Sequence, residues 1–164
     1  LSFEGWLYHT HIADLTDLAK TFPDTTIILN HLGGPIGIGT YAGRRDEVFA
    51  AWKPAIAKLA QYPNVVAKVG GIQMVVNGYG WHERAAPPSS DELVAANQDW
   101  YDYIIEQFGP QRCMFESNFP VDKLSCSYTV LWNQFKKLTK GYSANERAAM
   151  FHDTAKRVYR LPQV

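Results

Sequence analysis

Apolar positions along the chain alternate between two spacings, and each change of spacing marks a boundary between predicted elements. Phe3–Tyr8 reads as a first strand, and Leu15, Leu18, Ala19 and Phe22 then fall at helical intervals over 12–22. Thr25–Leu29 is a β-branched run and predicts a second strand. A glycine-rich loop from Asn30 to Arg45 leads into a helix over 46–61, whose apolar stripe is Phe49, Trp52, Ile56 and Leu59. Asn64–Val69 predicts a third strand that stops at Gly70-Gly71. The segment 72–90, rich in glycine, proline and aromatics, reads as a functional loop. A helix over 91–108 ends at Gly109-Pro110, and Arg112–Phe115 is a short fourth strand. Two helices follow, over 128–138 and 144–158. Ser143 with Glu146 three residues later forms a capping box at the start of the second.

Strands that alternate with helices imply right-handed crossovers and a parallel sheet. Four such βα units without a dinucleotide-binding glycine signature suit half of a (β/α)8 TIM barrel. A complete open sheet fits the pattern equally well, so periodicity alone leaves both open. In either architecture the carboxyl ends of the strands collect the chemistry. The first strand delivers His9 and His11, the second His31, the third Lys68, and the fourth Glu116, Ser117 and Asn118.

Imidazole suits a divalent metal or acid–base work near neutral pH. His31 precedes Gly33-Gly34-Pro35, where glycine permits close backbone approach. His11 reads as a cap of the following helix, His152 as structural, and Asp122 with Lys123 as an ordinary solvated pair. His82 and Arg84 in the long loop fit substrate contacts on a lid, and His82 equally fits an exposed loop position. Trp81, Tyr79 and Tyr41 suit stacking on a ring-shaped substrate or covering a barrel mouth.

Composition narrows the partners. The 164 residues, 46% of them hydrophobic, read as one domain and can fill a sizeable core. Lys+Arg and Asp+Glu are both 16, so no basic surplus exists to neutralise nucleic-acid phosphates. No apolar run is long enough to span a bilayer, and two cysteines form no disulfide framework, which points to a cytoplasmic protein. Leu1 opens inside a strand without an initiator Met, so the expectation is an N-terminally truncated fragment. An open half-barrel would expose strand edges and should self-associate.

The segment 22–35, ending His31-Leu32-Gly33-Gly34-Pro35, resembles the sixth-strand region of the amidohydrolase-related family of metal-dependent TIM-barrel hydrolases, which includes sugar lactonases and 2-pyrone-4,6-dicarboxylate lactonase. Residues 1–9 resemble its fifth strand, 114–121 its eighth, and 151–161 its closing helix. The resemblance implies strands five to eight of the barrel, and hydrolysis of a lactone or similar cyclic ester. It implies His9 as a metal ligand, one divalent ion (zinc) as cofactor, and His31 as the group that polarises a carbonyl or activates water. Asn118 stands where the family places an aspartate base, and an amide cannot take that proton. Asn118 is then expected to hydrogen-bond the water or the substrate, with Trp81, His82 and Arg84 binding a small-molecule substrate. A metal-dependent decarboxylase and an inactive truncated copy are the alternatives.

Overall fold

The computed structural model describes residues 1–162. Four parallel strands pair in sequence order: β1 (Ser2–Gly5), β2 (Thr26–Leu29), β3 (Val65–Val69) and β4 (Cys113–Phe115). The crossovers carry α1 (Ile12–Thr21), α2 (Arg45–Ala60) and α3 (Ser90–Phe108). After β4 come α4 (Tyr128–Leu138), α5 (Ala144–Ala148) and α6 (Thr154–Tyr159). A parallel sheet clothed by helices in this order is consistent with part of a TIM barrel.

Alternation across each strand divides the sheet into two chemically different faces. Ile27, Leu29, Val65, Ala67, Val69, Cys113 and Phe115 point toward the helices and join the main core around Trp52, Tyr101 and Phe135. The Trp52 indole N–H is satisfied there by the Leu32 carbonyl at 2.7 Å. The opposite face carries Glu4, Ile28, Val66, Lys68 and Met114, with Glu4 beside Ile28, Ile28 beside Val66, and Lys68 beside Met114. Its apolar members form a small second cluster covered by Ala155 and Val158 of α6. Its polar members lie toward the carboxyl ends of the strands. That division decides where the site forms.

Two elements differ from expectation. The first strand ends at Gly5 rather than Tyr8, because the Gly5 carbonyl takes the last ladder bond, from the Asn30 N–H at 3.0 Å, and the chain then turns toward His9. The helix expected over 144–158 is interrupted by a π-turn at Ala149–Asp153. Met150 enters the main core from this turn and Phe151 packs on Phe115, with ring centroids 4.7 Å apart. The extra residue of a π-turn then rotates α6 so that Ala155 and Val158 face the other side of the sheet. The capping box of Ser143 with Glu146 is present as expected, and a second one, Ser89 with Glu92, starts α3. Among the described residues no helix is long and apolar enough to cross a membrane.

Candidate active site

His31 follows β2 at the carboxyl edge, with a left-handed φ of 53°. That conformation is uncommon for a residue with a Cβ, and it brings two nitrogens of one residue onto one carboxylate oxygen. The His31 backbone N–H donates to Glu116 Oε1 at 3.1 Å, and ring Nδ1 lies 2.6 Å from the same oxygen. Both side chains are about 15% exposed. Glu116 continues along a line of charge across the polar face. Lys68 Nζ is 3.9 Å from Glu116 Oε2 and 2.8 Å from Glu4 Oε2, and the Tyr159 hydroxyl donates to Glu4 Oε1 at 2.8 Å. These bonds hold the Glu4 carboxyl below its ordinary range although burial works against them. Sequence reading left Glu116 without a role. Strand parity was the signal: Glu116 is two residues past Met114, which pairs with Lys68, so both charges share a face.

His9 sits in a short 3-10 turn after β1 and is buried. Its backbone N–H donates to the Gly34 carbonyl at 3.1 Å, and its ring Nδ1 accepts the Ile36 N–H at 3.3 Å. Tyr41 packs edge-on against the ring, with centroids 5.0 Å apart. Burial holds the imidazole below the ordinary histidine range, offset in part by a backbone bond with Gly34. An accepting Nδ1 on a neutral ring leaves the proton on Nε2. The close approach expected at Gly34 is present, since a Cβ there would lie 2.2 Å from the Leu7 carbonyl oxygen.

Asn118 also adopts a left-handed φ, 52°, and its Nδ2 donates to Asp122 Oδ1 at 2.9 Å. The solvated Asp122–Lys123 pair expected from sequence is therefore corrected: Asp122 is 0% exposed and faces inward. The turn after β4 folds 121–124 back under the site, with the Asp122 N–H donating to the Asn118 carbonyl at 3.1 Å. Burial pushes the Asp122 carboxyl up to about 7, with the Asn118 bond working in the other direction.

Trp81, His82 and Arg84 are brought together along an open groove of about 350 Å³, with Pro87 and the segment 123–127 on its far side. Arg84 is anchored by Glu92 at 2.8 Å, and Trp81 stacks on Tyr79, with planes 4° apart. His31 and His9 do not line this groove. The link is Gln73, whose side-chain carbonyl accepts the Trp81 indole N–H at 2.9 Å and whose backbone carbonyl accepts the Ser125 hydroxyl at 2.5 Å. Two residues earlier, Gly71 packs directly against the His31 ring. His11 occupies the cap position of α1 but makes no capping bond, and its ring pairs instead with Asp14 at 3.1 Å. His152 is exposed beside Asp153.

A family model described as amidohydrolase matches residues 6–161. The chain belongs to the amidohydrolase family. Over 161 residues it is 40% identical to a Sinorhizobium fredii protein, y4mH, covering 98% of this chain and 48% of that protein. It is 33% identical to an L-fucono-1,5-lactonase of Burkholderia multivorans, over 97% of this chain and 55% of the enzyme. Its fold matches a zinc-bound amidohydrolase from Burkholderia multivorans with a TM-score of 0.82 at 27% identity, over 98% of this chain and 53% of the other. The chain thus spans about half the length of the relatives it matches.

Among the described residues no group of three or more His, Cys, Asp or Glu side chains is placed to hold an ion. His9 offers one imidazole, with Nδ1 already bonded, and the donor at 118 is an uncharged amide. The remaining donors of a zinc site would have to come from outside the described residues.

Proposed function

We propose that this chain forms one unit, strands five to eight of a (β/α)8 barrel hydrolase, and that it takes part in opening a lactone or similar cyclic ester by water attack. The observation that carries this reading is the His31–Glu116 pair on the polar face at the carboxyl rim, in a chain 33% identical to an L-fucono-1,5-lactonase. Exposed Phe3 on the outer strand β1, and exposed Trp6 just past its end, support further strands pairing at that edge. In this reading His31 acts on the attacking water or the carbonyl, and His9 directs its Nε2 proton to an oxygen of the substrate. Asn118, held by Asp122, hydrogen-bonds the water or the substrate, and Trp81, His82 and Arg84 hold the substrate ring. No step is assigned to a metal.

The test is a panel of sugar 1,5-lactones with the chain present, following acid release against spontaneous opening. Faster opening of at least one member is expected. Uncatalysed rates across the panel overturn the hydrolase reading, and release of carbon dioxide from aromatic acids would replace it with decarboxylation. On an active lactone, Trp81→Ala should raise KM about tenfold, the loss of one ring-stacking contact worth roughly 1 kcal/mol or slightly more, while kcat stays within about threefold. An unchanged KM would remove Trp81 from the substrate site.

A further inference from the structure

We infer that Glu116 makes His31 a general base, by fixing the ring as the Nδ1–H tautomer and leaving Nε2 to take the proton of the attacking water. The inference rests on the ring-opening reading above and names the group that carries its proton transfer.

Three features of the chain lead to it. First, Asn118 and Asp122, past β4, supply no base. Residue 118 is an amide, which cannot accept a proton, and its Nδ2 is committed to Asp122. Asp122 itself is 0% exposed, out of reach of a substrate water. Second, Glu116 is arranged around His31 rather than merely near it. One carboxylate oxygen receives both the His31 backbone N–H at 3.1 Å and ring Nδ1 at 2.6 Å. A carboxylate accepts and does not donate, so the ring proton of a neutral His31 belongs on Nδ1. The left-handed backbone of His31 is what lets both donors reach the same oxygen, so the pair over-determines a conformation that costs energy by itself. Third, a cation stands beside Glu116. Lys68 lies 3.9 Å from its other oxygen and is fixed by Glu4 at 2.8 Å. Lys68 keeps its ammonium above the ordinary lysine range against burial, because Glu4, Tyr159 and Glu116 surround it.

The step balances without a co-reactant. His31 Nε2 removes a proton from water as the water oxygen bonds to the lactone carbonyl carbon. The tetrahedral adduct collapses with cleavage of the ring C–O bond, and the imidazolium returns its proton to the departing ring oxygen. The product is the open hydroxy acid. Glu116 never leaves its carboxylate form; it stabilises the imidazolium and holds the ring. His31 is thus the catalytic residue, and Glu116 and Lys68 are positioning residues.

The experiment reads the tautomer directly. In the chain labelled with 15N at histidine, the neutral His31 ring is expected to show a protonated Nδ1 and a bare Nε2. In Glu116→Gln the amide can accept from Nδ1 or donate to it, so the single tautomer should give way to a mixture. On an active lactone the same variant should lose on the order of 10²-fold in kcat, with KM within about threefold. A wild-type His31 protonated on Nε2 overturns the inference, whatever the activity. So does wild-type kcat in both Glu116→Gln and Glu116→Ala. An Nδ1–H tautomer in a chain that opens no lactone supports the pair and overturns the reaction assigned to it, so the two failures are separable.

Discussion

Asp122→Asn is expected to stabilise the protein above neutral pH and to leave it nearly unchanged near about pH 4. The carboxyl is fully buried, its Oδ2 has no hydrogen-bond partner among the described residues, and burial pushes it up to about 7. In the unfolded chain it titrates as an ordinary aspartate. Between the two values the native state binds more protons than the unfolded state, so the contribution of Asp122 to stability falls as pH rises and levels off above about pH 7. At about 1.4 kcal/mol per pKa unit, the ceiling on this loss is about 4 kcal/mol. The asparagine variant keeps an acceptor for Asn118 Nδ2 and carries no such charge. His9 titrates in the same window with the opposite sign, because burial lowers its pKa. The measurement is therefore the difference in denaturant-unfolding free energy between the two proteins from about pH 4 to 8. It should grow by a few kcal/mol toward high pH, and a difference independent of pH would show that Asp122 does not titrate in the fold.

Gly71→Ala should cost about 2–5 kcal/mol of stability and remove the His31–Glu116 pair with it. Gly71 has φ of 74°, where a side chain is strained, and a Cβ there would stand 2.6 Å from His31 Nδ1 and 2.9 Å from His31 Cβ. The ring cannot swing toward Glu116, which already lies 2.6 Å from Nδ1. It must leave the carboxylate, or the β3 end must move. Urea unfolding gives the first number, and the His31 15N spectrum reports the second effect. A folded variant with wild-type stability and an unchanged ring spectrum would show that the glycine is not what seats the imidazole.

Much of the architecture was legible in the chain. The β-branched run 25–29 and the Asn64–Val69 run became β2 and β3 almost residue for residue, because a strand buried on both faces leaves little freedom in composition. The helices were legible from their stripes, and Ser143 with Glu146 from its spacing. Ser89 with Glu92 carries the same Ser-x-x-Glu signal, which places the start of α3 at Ser90 rather than at 91. The segment 144–158 was not legible as two helices. A π-turn has no distinctive composition, and this one exists because Met150 and Ala155 must serve opposite faces of the sheet.

The candidate site was legible by position and not by partnership. His9, His31 and Asn118 all lie just past the carboxyl end of a strand, a placement that local sequence reveals. Which carboxylate meets His31 depends on residues 85 positions apart meeting across β3, and spacing along the chain carries no record of that. Asp122 shows the same limit: beside Lys123 it reads as a surface pair, and only the fold of 118–126 beneath the site buries it. The sequence by itself determined the βα order, the rim residues and the family, since these depend on local periodicity and on a contiguous motif. The tertiary structure decided that Glu116 meets His31, that Asp122 is buried against Asn118, and that Gln73 ties Trp81 to Ser125. Each of these is a contact between polar groups whose geometry only the packed fold sets, and the His31–Glu116 pair spans 85 positions of the chain.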